Sequence, residues 1–181
     1  MIDFEKIEQG LRELPLYFYG YIDPKTIEFS DRIRYICGVE CPMHNKTWAC
    51  PPAVGEVSQC EKKCKGYEKC LMIGSVAEVN DIADIAETLA TRPGHEELTN
   101  MVRDLFYEQG IEPYILSTEA CDICEKCAWL DGEPCRYPDR MHPCVESHGI
   151  NLIPTLEENG LEFQYGENIV TWYSLLFFTD K

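Results

Sequence analysis

Cys121-Asp-Ile-Cys124-Glu-Lys-Cys127 sets three thiols at C-x2-C-x2-C spacing, and Cys135 follows after seven residues. Three thiols in one looping run suit three corners of an iron–sulfur cubane, with a more remote thiol closing the fourth. In bacterial ferredoxin runs the fourth cysteine serves the other cluster, and that alternative applies to Cys135. Zinc is the competing ion. A tetrahedral zinc usually takes C-x2-C pairs from two separate knuckles, which a single tight run of three thiols matches less naturally.

A second burst of thiols lies upstream, from Cys37 through Cys41, Cys50, Cys60 and Cys64 to Cys70. Its first four members are spaced x3, x8 and x9, with no C-x2-C pair, so the zinc-knuckle pattern gains nothing there. Cys50 is followed by Pro51-Pro52, which removes N–H donors and stops a helix. Scattered cysteines are often small buried hydrophobes, but these sit among polar and proline-rich neighbours. Trp48 is placed either to shield a cluster from water or to pack as ordinary core. Cys64 lies in CEKKCKGYEKC beside four lysines, a setting that lowers a thiol pKa and marks it as a reactive or additional ligand thiol. Cys70 reads as core, and Cys144, on a short helix, as core or semi-exposed.

Two long strings together resemble a known family. Cys37-x3-Cys41-x6-Trp48-Ala49-Cys50-Pro51-Pro52, then Gly55 and Cys60, form the first. Cys121-x2-Cys124-x2-Cys127, then Gly132-Glu133-Pro134-Cys135-Arg136-x-Pro138, form the second, with Glu146, Gly149-Ile150 and Gly166-Glu167-Asn168 following. From about residue 30 onward the chain resembles the predicted prokaryotic metal-binding proteins called domain of unknown function 2284. The resemblance implies eight ligand cysteines: Cys37, Cys41, Cys50, Cys60, Cys121, Cys124, Cys127 and Cys135. A Tyr-Gly pair common in the family is His44-Asn45 here. Asn tolerates the left-handed backbone that Gly supplies, and His44 is an alternative imidazole ligand. Eight thiols divide into two sets of four, the complement of two [4Fe–4S] clusters. Lysines near Cys60 would offset the clusters' negative charge.

The rest of the composition bounds the setting. The chain has 181 residues, 11 cysteines and a net charge of −16. This length reads as one domain over residues 1–181, with a core that needs no disulfide staples. The N-terminus, MIDFEKIEQGLREL, has no basic start and apolar run, so it is not a secretory signal, and no stretch approaches a membrane span. An odd number of cysteines without an export signal points to a reducing cytoplasm and to metal binding. The acidic surface argues against nucleic acid and anionic lipid; it serves solubility first, and as a sharper alternative it suits a protein redox partner with a basic docking face.

The elements that must position the thiols are read from periodicity. Residues 3–14 form an amphipathic helix with Ile7, Leu11 and Leu14 on one face and Pro15 as its stop. Residues 16–22 alternate as a strand, and 30–36 are a weaker strand leading into Cys37. The first burst reads mainly as loop. Residues 70–77 form a buried strand, and Asn80 caps a helix carrying Ile82, Ile85 and Leu89. A second helix at about 94–109 carries Leu98, Val102, Leu105 and Phe106 and ends at Gly110. Residues 113–118 form a short strand, Pro138 opens a short helix closed by Gly149, and 168–178 form a long buried strand. The fold class is α+β: a small mixed or antiparallel sheet with helices on one side and two cysteine-rich metal-binding loop regions.

Three functions fit these residues. Full cysteine ligation leaves no open iron and favours electron transfer in prokaryotic, anaerobic metabolism. A cluster-dependent enzyme or activating protein would draw on Glu40, His44, Asp131, Glu133, Arg136, Arg140 or His142. No nucleophile–base pair, phosphate loop, H-E-x-x-H string or flavin or nicotinamide fingerprint accompanies them. The third is an interaction module stapled by zinc or by clusters.

Overall fold

The computed structural model describes residues 2–180. Its centre is an antiparallel sheet of order β1-β3-β6-β4, formed by β1 (Phe18–Ile22), β3 (Lys69–Glu78), β4 (Tyr114–Leu116) and β6 (Ile169–Phe178). Strands β3 and β6 pair along their full length, from Lys69 opposite Phe178 to Glu78 opposite Ile169. Alternation along both strands gives the sheet two apolar faces. Leu71, Ile73, Leu176 and Phe178 meet Ile7 and Leu11 of α1 (Phe4–Glu13) and Val102 and Phe106 of α5 (Arg92–Tyr107). Cys70, Met72, Leu175 and Phe177 form the opposite face.

The two long helices therefore lie on one side, as periodicity implies. The other face is also covered, by Cys64 of α3 (Val57–Lys65), Leu152 and Leu156 of α6 (Leu152–Glu158), and Ile27, Val145 and Ile150. Neither short helix was foreseen. α3 starts where Glu56 donates its backbone N–H to the Gln59 side chain at 2.9 Å, and it buries Val57, Cys60 and Cys64 on one stripe.

Several expectations are corrected. Residues 30–36 are not a strand but most of helix α2 (Asp31–Glu40), which carries Cys37. The Ser30 hydroxyl accepts from the Arg32 N–H at 3.2 Å, and this cap with Asp31 in the first turn outweighs the β-branched isoleucines. The first burst is accordingly only partly loop, since Cys60 and Cys64 also sit on a helix. Asn80 does not cap α4 (Ile85–Ala90). Asp84 does, accepting from Ala86 and Glu87, while Asn80 donates to the Glu87 carboxylate. No helix begins at Pro138. Only a 3-10 turn, Glu146–His148, precedes Gly149, and Cys144 lies before it in an isolated bridge to Ser117.

Gly149 is a junction. Its φ is +75°, its carbonyl accepts the Ser30 N–H at 2.6 Å, and an added Cβ would lie 3.0 Å from the Val57 side chain and 3.1 Å from the Ser30 carbonyl. Beside it the short strands β2 (Glu28–Phe29) and β5 (Ile150–Asn151) pair antiparallel. The start of α2 is thereby stapled to residues 149–151.

The first half of α5 buries polar groups rather than leucines: Arg92, His95 and Thr99 precede Val102 and Phe106 on its inner stripe, and Leu98 is only half-buried. The two His95 ring nitrogens share hydrogen bonds of 2.8 Å with Ser75 on β3 and Ser174 on β6. Ser174 also meets Thr99 and Ser117, and Ser117 donates to Glu96. Each buried polar group here has a partner, which is the condition for burying it without a large penalty.

Two predictions follow from these contacts. Gly149→Ala must hold an L side chain at positive φ against backbone, and a loss of about 1–3 kcal/mol in denaturant unfolding is expected. Burial, and then Arg92, lower the His95 pKa to about 3, against about 6.5 when unfolded. Between those values the unfolded chain binds a proton that the folded chain refuses, so this contribution is full above about pH 6.5 and is lost as pH falls. Stability should drop from pH 7 to pH 5, and His95→Asn should make the slope shallower by up to about 1.4 kcal/mol per pH unit.

Candidate metal centre

The segment leaving β4 divides two groups of thiols. Ser117 donates its N–H to the Pro143 carbonyl at 2.7 Å and accepts from Val145 at 3.2 Å, an isolated bridge to Cys144 just past β4 before the chain turns out. Glu119 then takes a φ of +56°, strained for a side-chain-bearing residue. Glu119 and Ala120 line one cavity and Cys121 lines the next.

The four predicted thiols of the second burst come together. Cys121, Cys124, Cys127 and Cys135 line a single narrow cavity of about 20 Å³ with largely apolar walls, including Trp48 and Met141. The loop carrying them contains only a 3-10 turn, Ala128–Asp131, ended by Gly132 at φ +71°. Its shape is tied by Arg136, whose guanidinium donates to the Lys126 carbonyl at 2.8 Å, and by Arg92, which pairs with Asp122 at 2.8 Å and donates to the Thr118 carbonyl at 3.1 Å. The polar network under α5 thus runs directly into the residue after Cys121. Burial pushes the Cys121 thiol up, with the Ile123 N–H opposing it.

The first burst is divided. Cys37, Cys41 and Cys50 line a wider, mostly apolar cavity of about 400 Å³, together with Cys144, Glu40, Glu119 and Glu146. Cys37 lies in the last turn of α2 and Cys41 is its C-terminal cap, four residues apart and so on one face. The Thr47 hydroxyl donates to the Cys50 sulfur at 3.1 Å. Burial pushes the Cys37 thiol up to about 11, with Cys41 adding to it. Cys60 is not in this lining. Its sulfur meets the Val54 carbonyl at 3.4 Å and the Arg34 guanidinium at 3.6 Å. Among the described residues no three His, Cys, Asp or Glu side chains converge tightly enough to hold one bare metal ion. The thiols surround space rather than a point, and a loop that a metal normally organises is not expected to be fully preformed.

The two groups are joined. Trp48 and Trp129 pack edge to face with ring centroids 4.8 Å apart. Trp48 donates to the Glu133 carbonyl and Trp129 to the Asn45 side chain, each at 3.0 Å. Asn45 has φ +58°, the left-handed turn expected where the family places Gly. Cys127 lies near enough to Cys50 for their charges to interact.

Other predicted residues fall elsewhere. Cys64 is fully buried in the core, where its thiol is pushed up to about 12, so the expectation of a reactive thiol is corrected. Of the lysines near Cys60, Lys63 lies over the Tyr114 ring and near enough to Cys60 and Cys64 for its charge to act on both thiols, whereas Lys69 lies over Phe4 and Lys65 pairs with Glu61. Arg34 also meets the Cys60 sulfur, and Arg136 lines the cavity of the second burst. Cys70 is core, as expected. The His44 ring lies against Gly38 of α2, and Asp131 pairs with Lys126. Glu133 takes part through its backbone. Arg140 and His142 line a polar cleft of about 360 Å³ on the far side of Cys121, with Arg92, Glu96 and Asn100. Burial and Arg103 lower the His142 pKa to about 4, so the ring is neutral near pH 7. Sequence reasoning missed Thr47, Glu119, Arg92 and Trp129, none of which belongs to a spacing pattern.

No helix among the described residues is long and apolar enough to cross a membrane. No curated protein and no solved structure matches the chain. A family model described as a predicted metal-binding protein, DUF2284, matches residues 20–178, which takes in both thiol groups, the joining tryptophans and all of the sheet but the first two residues of β1. With eight of its cysteines gathered around two cavities inside that span, this chain belongs to the DUF2284 family of predicted metal-binding proteins.

Proposed function

We infer that this protein binds two [4Fe–4S] clusters through cysteine thiolates and transfers electrons to or from a protein partner with a basic docking face. The observation that carries this reading is the single cavity lined by Cys121, Cys124, Cys127 and Cys135, with no histidine, aspartate or glutamate in its lining. Bound clusters would supply one-electron chemistry.

The protein's own residues would set its conditions. Trp48, Met141 and Ala128 keep water from the second cavity, which tunes a buried redox group. The Thr47 hydroxyl stabilises negative charge on the Cys50 sulfur. The Trp48–Trp129 contact and the nearness of Cys50 to Cys127 favour short-range exchange between two centres. A chain of net charge −16 attracts a cationic partner face, and salt weakens that attraction.

One observation favours zinc as a second reading at the C-x2-C-x2-C site. About 20 Å³ is room for little more than one water-sized species. A zinc-held loop would then serve as a rigid interaction surface.

Anaerobic purification, a visible spectrum and metal analysis separate the two readings. A brown protein with about eight irons and eight acid-labile sulfides per chain after reconstitution is the expected result. Colourless protein holding zinc and no sulfide would replace the cluster reading. In the cluster case Cys124→Ser should remove about four irons, whereas Cys70→Ser should leave the iron count unchanged and affect only packing.

A further inference from the structure

We propose that Cys144 is the fourth thiol ligand of the first metal centre, completing Cys37, Cys41 and Cys50 in place of Cys60. The proposal rests on the metal-binding reading above and deepens it. The sulfur-bearing residues that share the 400 Å³ cavity are Cys37, Cys41, Cys50 and Cys144.

The backbone holds Cys144 in place. Its neighbours on either side, Pro143 and Val145, are hydrogen-bonded to Ser117, the residue after β4, so an isolated bridge ties Cys144 to the end of a central-sheet strand. Sites carried on such rigid elements keep their ligands aligned better than free loops do. The Cys144 sulfur already accepts the Ser147 N–H at 3.3 Å, the kind of main-chain contact that stabilises a thiolate ligand. A few residues on, Gly149 and the β2–β5 ladder staple this segment to the start of α2, the helix that presents Cys37 and Cys41. The same ladder therefore fixes α2 and Cys144 relative to each other across more than a hundred residues of sequence.

Cys60 is placed differently. It lies on the inward stripe of α3 with Val57 and Cys64, only 2% exposed, and its sulfur is engaged by Arg34 and the Val54 carbonyl. To reach the cavity it would have to leave both partners and its packing. Cys60 is thus assigned to the seam between α2 and α3, where the Arg34 side chain also donates to the Gly55 carbonyl at 2.7 Å.

The test uses the full chain, reconstituted anaerobically with iron and sulfide, as wild type, Cys144→Ala, Cys144→Ser and Cys60→Ala. Iron and sulfide are counted, electron paramagnetic resonance is recorded on the reduced protein, and far-ultraviolet circular dichroism checks folding before loading. Cys144→Ala should cut iron from about eight to about four per chain, while Cys60→Ala keeps about eight. Cys144→Ser is nearly isosteric and keeps the fold; it should either lose the same share of iron or keep it with an altered signal from one centre, because oxygen replaces sulfur at one iron. A zinc-loaded wild type is read the same way, as loss of one zinc from two. Loss of a centre in Cys60→Ala with unchanged count and signal in both Cys144 variants overturns the proposal and leaves the metal-binding reading intact. A wild type that takes up neither iron nor zinc overturns both.

Discussion

The full-length antiparallel ladder between β3 and β6 is the constraint on which the rest of the molecule depends. Ten consecutive residue pairs hold a strict alternation, so Cys70, Met72, Leu175 and Phe177 face one way and Leu71, Ile73, Leu176 and Phe178 the other. A slip of one strand by one residue would turn every one of its inward side chains to the opposite face of the sheet. It would also move Ser75 and Ser174 away from His95 and break the polar network that leads to the cysteine loops. The ladder thus sets both the core and the foundation of the metal region.

From that foundation the thiol-bearing segments are held by few regular elements. The C-x2-C-x2-C loop has one 3-10 turn of its own. Its fixed points are borrowed: Arg92 from α5, Ser117 from the end of β4, and Trp48 and Asn45 from the other thiol group. Irregular backbone of this kind is tolerable where metal–thiolate bonds replace the missing hydrogen-bond ladder. The buried serines, threonine and histidine under α5 serve the same end. They cost more to bury than leucines would, but their fixed geometry aligns α5, β4 and β6 where the loop departs.

The electrostatics follow a consistent division. Acidic side chains dominate the surface, and three carboxylates, Glu40, Glu119 and Glu146, stand at the wider thiol cavity. Lys65 and Lys69 are drawn off to Glu61 and Phe4, while Lys63 acts on Cys60 and Cys64 from its place over the Tyr114 ring. The cation that donates to sulfur is the Arg34 guanidinium, a group that stays charged when partly buried and here also donates to the Gly55 carbonyl.

The metal-binding character of this protein, the α+β class and the long elements are legible in composition and spacing by themselves. Thiol spacing is local information, and so are the amphipathic period of α1 and the apolar alternation of β3 and β6. α2 was misread because Ile33, Tyr35 and Ile36 favour a strand locally, and the Ser30–Asp31 cap that makes it a helix is a weaker signal in a linear reading. Leu98 was placed at the core because propensity sees a leucine, whereas the inner face of α5 belongs to His95 and Thr99, whose partners lie on strands far away in sequence. Spacing shows that Cys121, Cys124, Cys127 and Cys135 belong together, but which thiols join Cys37, Cys41 and Cys50 was decided by the tertiary structure alone. Cys60 follows Cys50 closely in the chain, yet α3 turns it toward Arg34. Cys144 is distant from Cys37 in the chain, yet the pairing of residues 28–29 with 150–151 and the bridge at Ser117 bring it to the same cavity, because strand pairing depends on backbone hydrogen bonds that no residue type announces.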